Sequence, residues 1–163
     1  DPKVAQIAQK AAAEAVNVIR DENKVLPVAK GKKVLLVYQV NPLHERTNTQ
    51  QCNPATPWLE ILKKSDDVYA VETTMKYSED DRKRVYERMN EVDIIVITNY
   101  FDRRSPESGN SFVKELHEKT DKPIVVLTNS PYPFTVLPEY KTVICSYSSS
   151  VDSSREIANK IFG

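Results

Sequence analysis

Five short runs of β-branched and aliphatic residues constrain this chain more than anything else in it. They lie at residues 33–38 (KVLLVY), 68–71 (VYAV), 93–98 (DIIVIT), 123–128 (PIVVLT) and 142–146 (TVICS). Each run is continuous rather than alternating, the pattern of a strand covered on both faces. Helical patterns fall between them. Ser78-Glu79-Asp80-Asp81 reads as a capping box that opens a helix with Val85, Met89 and Val92 on its apolar side. Phe112, Val113 and Leu116 mark a second helix, and Ile157, Ala158, Ile161 and Phe162 mark the last. Alternating strand and helix predict an α/β three-layer sandwich: a mainly parallel, five-stranded sheet with helices on both faces, flavodoxin-like or Rossmann-like. At 163 residues the chain is one domain by length.

The chain opens differently. Residues 4–20 are alanine-rich, and at 100° per residue their apolar positions fill about half the helical wheel. A helix with one buried face needs a narrower stripe. Two readings follow: a helix sunk against the sheet edge, or one wedged between this domain and a neighbour.

Several functions are disfavoured by the residues present. Lysine plus arginine and aspartate plus glutamate both number 23, so no net charge draws the chain to nucleic acid or an anionic membrane. No apolar run approaches the roughly 20 residues of a membrane helix, and Asp1-Pro2 does not begin a signal peptide. The start suits a processed chain or an excised piece. Cys52 and Cys145 are too few for a disulfide scaffold; Cys145 ends an apolar run as a small hydrophobe, and a bridge between the two is left open. Only three glycines occur, Gly31, Gly109 and Gly163, and none follows the first strand, so no phosphate-binding loop is expected. No cofactor is anticipated.

Ligands of open parallel sheets sit beyond the carboxyl ends of the strands. Those ends lead into 39–56, 99–111, 129–132 and 146–148. A phospho-receiver needs acidic residues there, but the positions read Tyr38-Gln39 and Thr98-Asn99. No Gly-x-Ser-x-Gly nucleophile elbow exists, and the His and Cys residues lack metal-ligand spacing. His44 beside Glu45 reads as a solvated loop rather than an acid–base pair, and His117 as a surface residue of its helix. The Asp80–Arg84 cluster reads as a solvated helix face. Tyr132 and Tyr147, at strand ends, suit either ligand stacking or half-buried packing. Arg46, Asn99 and Asn129 are the candidates for contact with a polar ligand.

Taken together, several stretches resemble one family. AAAEAVNVIRDENKVLPV, with Ala13, Glu14, Ala15, Val16, Ile19, Glu22, Asn23, Leu26 and Pro27 in matching places, resembles the segment by which family 3 glycoside hydrolases pass from their catalytic barrel into a second, α/β-sandwich domain. KPIVVLTNSPYPFTVLPEYKTVICSYSSS, followed by a helix ending IFG, is similar to that domain's closing strand–loop–strand–helix. The resemblance implies residues 1–30 as interdomain helix and linker, with Asn23 ending the helix, and 31–163 as the sandwich. It implies a partner, the N-terminal barrel of the same parent chain, and carbohydrate bound through that parent. It also implies a retaining hydrolase of terminal β-linked sugars, whose aspartate nucleophile lies on the absent barrel. In the β-glucosidase branch the sandwich supplies a glutamate acid/base. Glu107 is the acid in place here, but its neighbours Arg103-Arg104-Ser105-Pro106 do not match that motif. The loop looks more like the β-N-acetylglucosaminidase branch, where the proton-transfer groups lie on a barrel loop. The expectation is therefore a chain with no catalytic residue of its own; the alternative is a stand-alone sugar- or partner-binding module.

Overall fold

A computed structural model describes residues 1–40, 56–100, 109–130, 140–147 and 150–163. Its elements are α1 (Pro2–Ala15), β1 (Asn17–Asp21), β2 (Val34–Val40), α2 (Thr56–Leu62), β3 (Val68–Thr74), α3 (Glu79–Met89), β4 (Ile94–Thr98), α4 (Asn110–Lys119), β5 (Ile124–Thr128), β6 (Thr142–Cys145) and α5 (Val151–Phe162). One six-stranded sheet runs in the order β1-β6-β5-β4-β2-β3. All pairings are parallel except β1 with β6.

The continuous apolar runs explain the layering. Successive side chains point to opposite faces of a sheet. Leu36, Tyr38, Val96, Val125, Leu127 and Ile144 therefore pack on one side with Trp58, Ile61, Ile157, Ala158 and Ile161 of α2 and α5. Leu35, Val37, Ile95, Ile97, Val126 and Val143 pack on the other with Val85, Phe112, Val113 and Leu116 of α3 and α4. The mainly parallel three-layer sandwich is the one the strand runs predict. The capping box also forms: Ser78 Oγ accepts from Asp81 N at 3.2 Å, and the Asp81 carboxylate from Ser78 N at 2.9 Å.

The opening segment departs from expectation. The helix does not run through residue 20 or end at Asn23; it stops at Ala15. Asn17 Nδ2 donates to the carbonyls of Glu14 and Ala15, taking up two groups the last turn leaves unpaired. Residues 17–21 then form the sixth strand, with Val18 opposite Ile144 and Asp21 opposite Thr142. β-Branched Val18 and Ile19 suit a strand, and β6 offers them an open edge. Asp21 closes the turn, accepting from Val25 N (3.0 Å), Leu26 N (3.2 Å) and Thr142 Oγ1 (3.2 Å). Nor is α1 sunk against the sheet. Residues 1–11 are all exposed, Val4 at 64% and Ile7 at 68%, and within the helix only Ala12 is buried. α2, which no sequence pattern announced, follows the loop expected over 39–56 and buries Trp58 and Ile61.

Candidate functional site: the carboxyl rim of the sheet

The chain leaves β2 toward β3 on one side, whereas β4 leads to β5 on the other. The crevice between the ends of β2 and β4 is thus the point where an open α/β sheet holds a ligand. Buried amides and hydroxyls of the protein fill it.

Gln39 is the hub. It is fully buried, and its Oε1 accepts from Tyr100 N (2.8 Å) and Thr98 Oγ1 (3.0 Å). Its Nε2 donates to Met75 O at 2.7 Å, so one carboxamide ties together the ends of β2, β3 and β4. Tyr77 OH donates to Thr98 O at 2.5 Å from beneath. Across the sheet, Tyr100 OH meets Ser146 Oγ at 2.9 Å, joining β4 to the end of β6. Burial pushes the Tyr77 and Tyr100 phenols far above their ordinary value, with the hydrogen bonds to Thr98 and Ser146 only partly opposing it. Both stay protonated at neutral pH and serve as struts, not as bases.

Asn99, a candidate from the sequence, is also fully buried. Its Nδ2 donates to Asn110 Oδ1 (2.8 Å) and, at 3.4 Å, to Tyr140 OH. Its Oδ1 has no hydrogen-bond partner among the described residues and abuts Gly109, the N-cap of α4. A Cβ at Gly109 would lie 2.3 Å from that oxygen. Asn99 therefore fixes where α4 starts instead of facing solvent. Asn129 follows β5 and is half-buried. Arg46 lies outside the described residues, as do Glu107, His44, Glu45, Tyr132 and Cys52.

Other candidates resolve simply. Cys145 is a buried free thiol whose pKa is raised chiefly by burial. His117 is less of a surface residue than its neighbours suggest. Its Nδ1 is 2.7 Å from Val113 O, and its ring stacks on Tyr140 at 5.1 Å. In the Asp80–Arg84 cluster, Arg84 pairs with Asp80 (3.3 Å) and Asp81 (2.5 Å), while Arg82 reaches Glu115 on α4 at 2.6 Å. Asp81 is not solvated as the cluster's pattern suggests: it is buried, and caps its own helix. A second cleft, about 420 Å³, lies at the opposite, amino end of the sheet among Lys30, Lys32, Lys64, Asp66 and Asp67.

Among the described residues no cluster of three or more His, Cys, Asp or Glu can hold a metal, and no helix is long and apolar enough to cross a membrane. The described rim offers amides, hydroxyls and aromatic rings, with the carboxylates of Glu72, 3.2 Å from Tyr38 OH, and Asp81, held by Thr74, at the end of β3. Such groups orient a polar ligand, but glycosidic cleavage with retention needs a nucleophile and a proton donor flanking one bond.

Reading the sequence missed Gln39, Gly109 and Tyr140. One signal was available: Gln39 interrupts VLLVYQV, and a polar side chain inside a strand covered on both faces must find partners.

A parallel α/β sandwich with one antiparallel edge strand is a fold of several enzyme and binding classes. No protein-family model matches the chain, and no curated protein matches its sequence. Solved structures do match it. A glycoside hydrolase family 3 β-N-acetylglucosaminidase from Paenibacillus sp. str. FPU-7 superposes with a TM-score of 0.78 at 19% identity, over 97% of this chain and 30% of that one. A β-glucosidase from Listeria innocua gives 0.74 at 20% identity, over 96% of this chain and 24% of that one. A family 3 exo-β-xylosidase gives 0.73 at 19%, over 99% and 24%. The fold of this chain is therefore the α/β sandwich contained in those family 3 glycoside hydrolases. The chain spans less than a third of the length of each.

Proposed function

We propose that this chain is the C-terminal α/β-sandwich domain of a retaining family 3 glycoside hydrolase that removes terminal β-linked sugars, N-acetylglucosamine first among them. The observation that carries the reading is the superposition of nearly the whole chain on less than a third of the Paenibacillus N-acetylglucosaminidase. The motifs at residues 13–27 and 122–150 support it independently. In this reading residues 1–30 form the join, with α1 running against α5 on the outside of the sheet and β1 inside the sheet. The preceding catalytic barrel is the partner, and the chain alone is inactive.

The antiparallel course of β1 fits the assignment. Asn17, the first residue of β1, pairs with Cys145, the last of β6. Polypeptide arriving through α1 thus enters the sheet at its carboxyl rim, the same rim that carries the loops after β2, β4 and β5. A barrel attached there faces those loops. Arg46, Asn99 and Asn129 are then the residues we assign near the sugar, Asn99 acting from below by setting the start of α4.

The β-glucosidase branch is the second reading, favoured by a TM-score nearly as high for the Listeria enzyme. Two measurements test the proposal. The gene should encode about 200–250 or more residues ahead of Asp1, the length of a closed eight-stranded barrel. The encoded enzyme, offered a panel of chromogenic β-glycosides, should turn over the N-acetylglucosaminide fastest. A reading frame starting near Asp1 would leave a stand-alone module and refute the assignment, whereas a preference for the glucoside would move it to the other branch.

A further inference from the structure

We propose that two copies of this chain, whatever domain precedes it, pair edge to edge through β3, antiparallel and about a two-fold axis, to make one continuous sheet.

An open six-stranded sheet has two edges, here β1 and β3. An edge strand leaves a row of N–H and C=O groups without a strand partner, and proteins blunt it with short length, bulges, prolines or lysines. β1 is blunted: it is five residues long, its pairing is bulged between Val18 and Arg20, and it carries Arg20 and Asp21. β3 is not. All seven of its residues, VYAVETT, pair with β2 in unbroken register, and they include no proline, no basic residue and one acid, Glu72. Tyr69 and Ala70 lie exposed on it, Tyr69 at 42%.

The register shows which backbone groups face outward. Val34 N donates to Asp67 O at 2.8 Å, so Asp67 and each second residue after it, Tyr69, Val71 and Thr73, turn their backbone groups to β2. Val68, Ala70, Glu72 and Thr74 turn theirs outward, and of these Thr74 N already donates to Asp81.

This row complements itself in one register. An axis beside Val71 sets Ala70 opposite Glu72 of the other copy and Val68 opposite Thr74, so outward-facing residues meet each other, as antiparallel bonding requires. Tyr69, on the same face as buried Val71, then meets Thr73, an aromatic and β-branched pair of the kind that stabilises neighbouring strands. Moving the axis to Glu72 would set two carboxylates face to face. Charges beyond the strand select the same arrangement. Asp66 precedes β3 and Lys76 follows it; both are exposed, and neither has an ion pair among the described residues. The axis at Val71 brings Asp66 of each copy level with Lys76 of the other, twice per dimer. That match favours a second copy over an unrelated strand.

Sedimentation velocity of the whole polypeptide the gene encodes, run over a range of concentrations, tests the pairing. One strand pair is a small interface, below about 1,200 Å², so a reversible dimer with a Kd of roughly 1–100 μM is expected. Ala70→Pro removes an outward N–H that β2 does not use, a position where an edge strand tolerates proline, and should weaken the dimer at least about tenfold with the circular dichroism spectrum unchanged. Asp66→Lys and Lys76→Glu should each weaken it at least about threefold, and together should restore the parent Kd. If Ala70→Pro fails to fold, this charge exchange decides alone. A monomer throughout the range, a dimer indifferent to a folded Ala70→Pro, or a charge exchange that does not restore association would overturn the proposal.

Discussion

Replacing Gly109 with alanine probes the rim through a single methyl group. The backbone there is no obstacle: φ −92° and ψ −21° lie in the right-handed helical region open to alanine. The obstacle is Asn99, since the added Cβ would sit 2.3 Å from Oδ1, 3.3 Å from Cγ and 3.4 Å from Gln39 Nε2. Ordinary carbon–oxygen contacts exceed 3 Å, so the carboxamide or the helix must move by close to 1 Å. Asn99 cannot yield freely, because its Nδ2 is held by Asn110 at 2.8 Å and it is fully buried. Overpacking of this kind costs about 1–3 kcal/mol, and a disrupted Asn99–Asn110 bond adds about 1 kcal/mol. Exchanging glycine for alanine at an N-cap gives up a few tenths more, roughly cancelling the gain from a stiffer unfolded chain. Gly109→Ala should thus destabilise by about 2–4 kcal/mol, a fall in Tm of roughly 5–15 °C for a domain of this size. Urea denaturation of the single variants and the pair makes the test specific. Asn99→Ala removes the obstructing atoms, so Gly109→Ala on that background should cost under about 1 kcal/mol, a coupling of about 1–3 kcal/mol. A Gly109→Ala variant within about 0.5 kcal/mol of the parent, or costs that simply add, would refute the placement of Asn99 against α4.

Other expectations follow from the same contacts. Gln39→Leu strips the acceptor from Tyr100 N and Thr98 Oγ1 and the donor from Met75 O, and should cost about 3 kcal/mol in urea denaturation, since buried unpaired groups are expensive. Asp81 is held below its ordinary pKa: burial opposes this, but hydrogen bonds from Thr74 and Ser78 outweigh it. A depressed carboxylate contributes stability above its unfolded pKa of about 4, and loses it as pH falls through the lower folded value. Asp81→Asn should therefore be less stable at pH 7 by about 1–3 kcal/mol and show a shallower loss on acidification below pH 4, read from denaturation midpoints across pH. Deleting residues 1–11, all exposed, should change the stability of the isolated domain by less than about 1 kcal/mol in thermal melts.

Much of the fold was legible because short, β-branched apolar runs bounded by polar and turn residues suit strands covered on both faces better than helices. The runs at 93–98 and 123–128 are apolar almost throughout, and the structure buries every residue of β4 and β5. Ser78 and Asp81 announced a helix start through local chemistry alone. β1 was illegible for a physical reason. NVIRD continues a helical apolar stripe as plausibly as it makes a strand, and only the unpaired edge of β6, over a hundred residues away, decides between them. The rim was half legible. Topology placed it at the strand ends, but whether Asn99 faces a ligand or buttresses a helix depends on Gly109 and Tyr140, distant partners that no local pattern reveals.

The most direct measurement compares steady-state hydrolysis of a chromogenic β-N-acetylglucosaminide by residues 1–163 with hydrolysis by the whole polypeptide the gene encodes. The account predicts turnover by the whole polypeptide and none by the domain, whose described rim holds amides, hydroxyls, protonated phenols and the hydrogen-bonded carboxylates of Glu72 and Asp81. Turnover by the purified domain, or a whole polypeptide inert toward every β-glycoside offered, would contradict it.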